Sequence, residues 1–214
     1  NRNSYPYGDW ASTGISADHV QNLTLRGLNI HGFANTGIHA GALSGNTLLD
    51  DVTIRGNGWV GFNGDIGSGS SNSGTITIQN SSIEGNGCTE AYPSTTIVGC
   101  WAQQEGGYGD GLGTASTGGN SRIINSQFIG NTSDGLDLLY ADGTGSVYID
   151  RVTSMWNAGN QVKISGNATI QNSVVVGDCG YLTGWGAMSD GDLCRASGAA
   201  LSISFTATNQ TINL

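Results

Sequence analysis

Two aspartates and a lysine are the residues of this sequence whose types and spacing best suit chemistry. Asp134 and Asp137 lie three apart in the stretch NTSDGLDLLY, and Lys163 is the only lysine of the chain. Charged residues make up only 11% of the 214 residues, so such a local concentration of acid needs a reason. The candidates are a tight turn, a bound cation and a catalytic pair, because aspartate serves all three.

A repeat relates these residues to the rest of the chain. Rows of roughly 21 to 29 residues, one of them lengthened to about 45, read as short strands separated by turns. Asn tolerates left-handed backbone and can hydrogen-bond a stacked copy of itself, so Asn columns at the turns predict ladders. The columns are Asn80, Asn125 and Asn172 at a first turn, and Asn57, Asn86, Asn131 and Asn157 at a second.

After the second turn, each row carries a strand in which apolar residues flank a variable one. Side chains in a strand alternate between its two faces, so the first apolar residue should point inward and the variable one outward. The predicted inward column is Ile38, Phe62, Leu112, Leu136 and Val162.

This pattern predicts an all-β fold, a right-handed parallel β-helix in which one chain forms a solenoid and each coil buries its apolar column against the next. An antiparallel sandwich is the alternative, since it also has short strands and many turns. We expect one domain over 1–214 that lacks the N-terminal part or cap of a longer solenoid.

Two segments, 87–109 and 179–197, interrupt the coils after the second turn. The first contains Cys88 and Cys100, and the second contains Cys179 and Cys194. Four cysteines allow three connectivities, of which two local disulfides, each stapling a loop, are the simplest. Disulfides persist in oxidising compartments, so we expect a secreted protein.

Stacking the rows gathers the acids. Asp110 aligns with Asp134 and with Asn160, and one outward position further along Gly113 aligns with Asp137 and Lys163. Adjacent strands lie about 4.8 Å apart, where two carboxylates repel by roughly 1 to 3 kcal/mol. The patch therefore invites a cation, and Ca²⁺ suits flexible oxygen ligands. Turn chemistry at the Asp-Gly pairs and a plain ion pair between Asp137 and Lys163 are the alternatives.

The composition argues against several kinds of partner. A formal net charge of −9 argues against nucleic acid and against an anionic membrane surface. There is no run of about 18 apolar residues, so no transmembrane helix is expected. We expect a monomer whose partner is a polysaccharide, anionic if metal ions intervene.

The segment 109–166, with GDGLG, NTSDGLDLLY and GNQVKISG, resembles polysaccharide lyase family 9, the β-helical pectate lyases and their relatives. The resemblance implies that Asp110, Asp134 and Asp137 bind Ca²⁺ and that Lys163 is the base of a β-elimination on a uronic-acid polymer. Two positions depart from the family pattern: Ser133 replaces the first Asp of its pair, and Gln161 replaces the Gly before the lysine motif.

Other readings of the same residues remain open. Asp134 and Asp137 could serve a glycosidase, and an epimerase would share the proton abstraction. In a non-catalytic adhesin or carbohydrate-binding solenoid, the acids would be structural Ca²⁺ ligands or plain surface charge. Four further residues are candidates for contacting substrate: His39 and Asn63 on the outward column, Asn160, and Tyr140.

Overall fold

The computed structural model describes residues 12–33, 35–64, 72–87, 109–114, 118–138, 145–177, 198–205 and 208–214. The four cysteines and Tyr140 lie outside these ranges, as do nearly all residues of the two predicted loop insertions. Within the described ranges every paired strand is parallel to its neighbour, and no helix is long and apolar enough to cross a membrane.

Two parallel sheets make up the solenoid. The seven-stranded sheet takes one strand from each successive coil, in the order β1 (Thr13–Asp18), β3 (Thr36–Gly41), β5 (Phe62–Gly64), β8 (Leu112–Thr114), β11 (Leu136–Leu138), β14 (Val162–Ser165) and β17 (Leu201–Ser204). Strands that are distant in sequence thus become neighbours in space, which confirms the parallel β-helix and excludes the sandwich.

The second sheet has eleven strands and two arms, because the first and second halves of its long strand β4 pair with different partners. Its strands are β2 (Thr24–His31), β4 (Asn46–Arg55), β6 (Thr75–Gln79), β7 (Ser82–Glu84), β9 (Asn120–Ile124), β10 (Gln127–Ile129), β12 (Ser146–Asp150), β13 (Thr153–Met155), β15 (Asn167–Gln171), β16 (Val174–Val176) and β18 (Ile212–Asn213).

The core follows the predicted column. Backbone pairing aligns Ile38 with Phe62, Leu112, Leu136 and Val162 on successive strands of the seven-stranded sheet. All five side chains are at most 2% exposed. The outward residues of the same strands are therefore held in a second column, about 4.8 Å apart from coil to coil.

The second-turn Asn column is a continuous buried ladder. The side-chain amide of Asn57 donates to Asn86 Oδ1 at 3.0 Å, Asn86 donates to Asn131 at 3.0 Å, and Asn131 donates to Asn157 at 2.9 Å. Each Oδ1 also accepts the backbone N–H of the preceding coil's Asn. Buried amides that satisfy one another in this way fix the register of the coils.

The glycine after each aspartate of the Asp-Gly pairs has a steric role. A Cβ on Gly111 would lie 2.6 Å from the carbonyl oxygen of Gly135 and 2.9 Å from Nδ2 of Asn131. A Cβ on Gly135 would lie 2.6 Å from Nδ2 of Asn157. The coils approach so closely beside the ladder that only glycine fits there.

The first-turn column forms a left-handed corner, as predicted. Asn80, Asn125 and Asn172 have φ of 52°, 46° and 51°. Asn125 donates to Asn80 at 2.8 Å, and the next coil interrupts this exposed ladder by placing Arg151 in the same conformation.

Candidate metal centre and active site

Three aspartates converge where the neighbouring strands β8 and β11 of the seven-stranded sheet begin. Asp110 and Asp134 precede β8 and β11 by two residues, and Asp137 is the outward residue of β11. One carboxylate oxygen from each lies within 4.8 Å of the others, and the residues are 1%, 4% and 5% exposed. The stacking derived from the repeat thus places all three acids in one buried cluster.

A second ladder holds the first two acids in place. Asp110 Oδ1 accepts the backbone N–H of Asp134 at 2.8 Å. Asp134 Oδ1 in turn accepts the backbone N–H of Asn160 and, at 3.0 Å, its side-chain amide. Asn160 continues the ladder by accepting the N–H of Ala199 at 3.0 Å. One oxygen of each Asp is therefore anchored to the next coil, and Asp110 also accepts a hydrogen bond from the Ser133 side chain.

Lys163 is the charged partner of two of the acids. The residue is paired with Asp137 across β11 and β14, and its Nζ lies 2.8 Å from Asp137 Oδ2 and 2.8 Å from Asp134 Oδ2. Its side chain is only 19% exposed. Among the described residues, one ammonium therefore contacts two of the three carboxylates, and negative charge exceeds positive charge in the cluster.

The pKa of the Asp110 carboxyl is raised by its burial and by this excess of negative charge. Burial raises the pKa of its carboxyl well above the usual range, and the negative charges of Asp134 and Asp137 raise it further. Hydrogen bonds from the backbone of Asp134 and from the Ser133 side chain act in the opposite direction and do not cancel this. Asp110 therefore retains a proton at pH values where an ordinary aspartate has lost it.

The same contacts act on Lys163 in the direction that opposes base chemistry. Burial alone would lower the pKa of its ammonium, but hydrogen bonds and charges from Asp134 and Asp137 outweigh it and raise that pKa above its ordinary value. A lysine in this state holds its proton at neutral pH. It becomes a base only where a cation takes over the two carboxylates.

The donor set fits a hard cation. Every ligand atom offered is a carboxylate oxygen, and the three oxygens lie within 4.8 Å of one another. Their like charges repel, and a cation between them would neutralise this repulsion. A Ca²⁺ bound by Asp110, Asp134 and Asp137 would relieve the repulsion that raises the pKa of Asp110. Ser133, which stands where a fourth carboxylate was expected, instead donates from its side chain to Asp110.

The remaining candidate residues extend along the outward column. His39 and Asn63 are aligned with Gly113 on β8, which is aligned with Asp137. Gly113 leaves this position of the column without a side chain, whereas Asn63 is 2% exposed and His39 Nε2 lies 3.8 Å from Asp18. Their contact with substrate stays a prediction, and Tyr140 lies outside the described residues.

Two residues beside the cluster were not identified as site residues from sequence. A Cβ on Gly159 would lie 2.3 Å from Asp134 Oδ1, so the backbone of this turn packs directly on a candidate ligand. Gln161 is buried and bonds back to Asn157. Both residues belong to the stretch GNQVK that ends at Lys163, so the sequence places them near the site. Only the path of the turn shows what Gln161 contacts.

Comparison with known proteins supports the fold. No protein-family model matches the chain, and no curated protein sequence does. Among solved structures, the crystal structure of pectate lyase Pel9A matches with a TM-score of 0.52 at 18% identity, over 76% of this chain and 44% of that one. The chain thus spans less than half the length of this structural neighbour and shares a pectate-lyase-like β-helix with it.

Proposed function

We propose that this chain belongs with the family 9 polysaccharide lyases and is a secreted, Ca²⁺-dependent enzyme that cleaves a pectate-like uronic-acid polymer by β-elimination. The observation that carries the proposal is the contact of Lys163 with two carboxylates of a three-aspartate cluster. Elimination beside a carboxylate requires a base close to a group that stabilises the developing negative charge, and Lys163 next to a Ca²⁺ held by this cluster would meet both requirements.

The three aspartates and the lysine have separate roles. Asp110, Asp134 and Asp137 would hold Ca²⁺, which when bound pairs with the sugar carboxylate and stabilises the charge that develops there as C5 loses its proton. With Asp134 and Asp137 engaged, Lys163 loses the interactions that raise its pKa, and its amine is left beside the substrate face.

Lys163 then takes the C5 proton. The C5–H electron pair forms the C4–C5 double bond, the C4–O bond breaks, and the leaving oxygen takes a proton from water. The outward column would supply the binding surface: Gly113 leaves space over β8, and His39, whose side chain is 28% exposed, extends the surface towards the preceding coils.

A non-catalytic solenoid is the second candidate, favoured by one observation. The raised pKa keeps Lys163 protonated, and an ammonium held between two aspartates also serves as a structural ion pair. A glycosidase finds less support, because both of its candidate carboxylates, Asp134 and Asp137, are engaged by Lys163.

Product analysis separates these functions. The protein is incubated with polygalacturonate and other uronate polymers in Ca²⁺ or chelator. Unsaturated, ultraviolet-absorbing ends identify a lyase. Reducing ends without that absorbance identify a hydrolase, and binding without cleavage identifies a carbohydrate-binding solenoid. Either of the last two results overturns the proposal.

A further inference from the structure

Gln161 ends the buried Asn ladder with a side chain from its own coil. Its Oε1 accepts the side-chain amide of Asn157 at 2.8 Å and the backbone N–H of Asn157 at 3.1 Å. These are the two bonds that Asn157 itself provides to Asn131 one coil earlier. Gln161 therefore takes the place of the next Asn of the ladder.

The other half of the same amide closes the turn. Gln161 Nε2 donates to the carbonyl oxygens of Asn157 at 2.9 Å and of Gly159 at 3.4 Å. The side chain is 2% exposed, so these bonds are shielded from water. Four hydrogen bonds, two accepted and two donated by one amide, hold the turn between residues 157 and 161 in place.

That backbone is what holds Asp134. The turn presses Gly159 against Asp134 Oδ1 and directs both N–H donors of Asn160 to the same oxygen. With Oδ1 fixed, Asp134 Oδ2 points to Lys163 at 2.8 Å. A loosened turn would release Oδ1, and Oδ2 would lose its direction.

We infer that Gln161 is a positioning residue that acts through the turn 157–161 to aim Asp134 at the metal and at Lys163. The inference rests on the proposed function for the identity of the ligand, Ca²⁺. Residues that orient ligands through hydrogen bonds typically change metal affinity by about 10- to 100-fold when they are removed. The side-chain amide of Gln161 bonds to Asn157 and Gly159, so its effect on Asp134 would pass through Gly159 and Asn160.

The test compares two near-isosteric substitutions at opposite ends of one ladder. Gln161→Met removes the amide that closes the turn. Asn57→Leu removes an equally buried amide whose contacts, Phe33 N–H and Asn86, lie away from Asp134. Affinity for Ca²⁺ is measured by titration calorimetry and by Tb³⁺ luminescence, well below each variant's unfolding midpoint.

We expect both variants to unfold at lower temperature, because each leaves buried partners unsatisfied. Only Gln161→Met should weaken Ca²⁺ binding, by about tenfold. Equal Kd values for Gln161→Met and the wild type would overturn the inference, as would an equal loss in Asn57→Leu, because that would reflect general destabilisation.

A metal-independent readout separates this inference from the proposed function. In Ca²⁺-free protein, the ¹³C carboxyl resonance of Asp134 should move in Gln161→Met and stay in place in Asn57→Leu. Absence of Ca²⁺ binding in the wild type would refute the proposed metal site, and the resonance would still decide the positioning role. If Gln161→Met does not fold, Gln161→Glu keeps the accepting oxygen, loses both donors, and should move the same resonance. An unmoved resonance would overturn the role.

Discussion

Lys163 Nζ lies 2.8 Å from Asp137 Oδ2 on the neighbouring strand, and the same nitrogen reaches Asp134 Oδ2 at the same distance. The first contact follows from the pairing of β11 with β14. The second makes the lysine a bridge between two candidate metal ligands. Lysine and metal therefore compete for the same carboxylates, and this competition leads to the first prediction.

Lys163→Met should destabilise the Ca²⁺-free protein and tighten Ca²⁺ binding. Without the ammonium, three buried carboxylates face one another, and we expect a loss of about 1 to 3 kcal/mol, less than for a fully buried pair because the lysine is partly exposed. Chemical denaturation and calorimetry measure the two effects. Arg26→Met is the control, because Arg26 lies 3.6 Å from Asp50 with 65% of its side chain exposed. Unchanged Ca²⁺ affinity in Lys163→Met would contradict the competition.

Asp110→Asn should stabilise the Ca²⁺-free protein at neutral pH and weaken Ca²⁺ binding. The pKa of Asp110 is raised in the folded state, so the folded protein keeps a proton that the unfolded chain has lost. Stability from this group is present below the unfolded value of 3.8 and is lost as pH rises through the folded pKa. Asn removes that loss and can still accept the N–H of Asp134, for a gain of roughly 1 to 3 kcal/mol.

The control for this prediction is Asp50→Asn, whose effect on stability at neutral pH should have the opposite sign. The pKa of Asp50 is lowered by hydrogen bonds from Asn80 and Gln79, so its contribution is present above 3.8 and is lost as pH falls. Asp50→Asn should therefore lower stability at neutral pH and change nothing in acid. Unfolding midpoints from pH 3 to pH 8 would show the contrast, and parallel profiles for the two variants would refute the assignment to Asp110.

Gly159→Ala should weaken Ca²⁺ binding by displacing Asp134. The new methyl would lie 2.3 Å from Asp134 Oδ1, closer than van der Waals contact permits. We expect a rise in Kd of about tenfold or more. Gly177→Ala is the matched control, since a Cβ there meets nothing within 4 Å. Calorimetry that gives the same Kd for both variants would show that the turn does not position Asp134.

Asn131→Leu should lower the free energy of unfolding by about 3 kcal/mol, because it breaks the ladder at its centre. Asn131 bonds to Asn86 on one side and to Asn157 on the other, and all three side chains are buried. Gln127→Ala, which removes an exposed amide that donates to Ser82 at 3.1 Å, should cost about 0.5 kcal/mol or less. Urea denaturation measures the loss of stability in both variants. Similar losses would mean that burial of the ladder does not contribute to stability.

Much of this arrangement can be predicted from the sequence because strand periodicity is local and strict. The apolar–variable–apolar triplets set which face each residue occupies, and the repeat sets which triplets are neighbours. The register of Leu112, Leu136 and Val162, and with it the position of Asp137 beside Lys163, follows from those two rules alone.

Other features depend on the path of the turns, which the repeat does not determine. The contact of Lys163 with Asp134, the bond from Ser133 to Asp110 and the closure of the ladder by Gln161 all join residues at different positions of the repeat, which strand alternation does not bring together. In the sequence, Gln161 is only a departure from the family motif. Its four hydrogen bonds to the turn are visible only in the structure.

The central claim, that Lys163 removes a proton beside Ca²⁺ held by the three aspartates, is tested most directly by the rate of ultraviolet absorbance from polygalacturonate. Wild type and Lys163→Met are compared in Ca²⁺ and in chelator, with calorimetry to show that the variant still binds the metal. The account predicts Ca²⁺-dependent absorbance in the wild type and none in Lys163→Met, despite intact Ca²⁺ binding. Full activity of Lys163→Met, or undiminished wild-type activity in chelator, would contradict it.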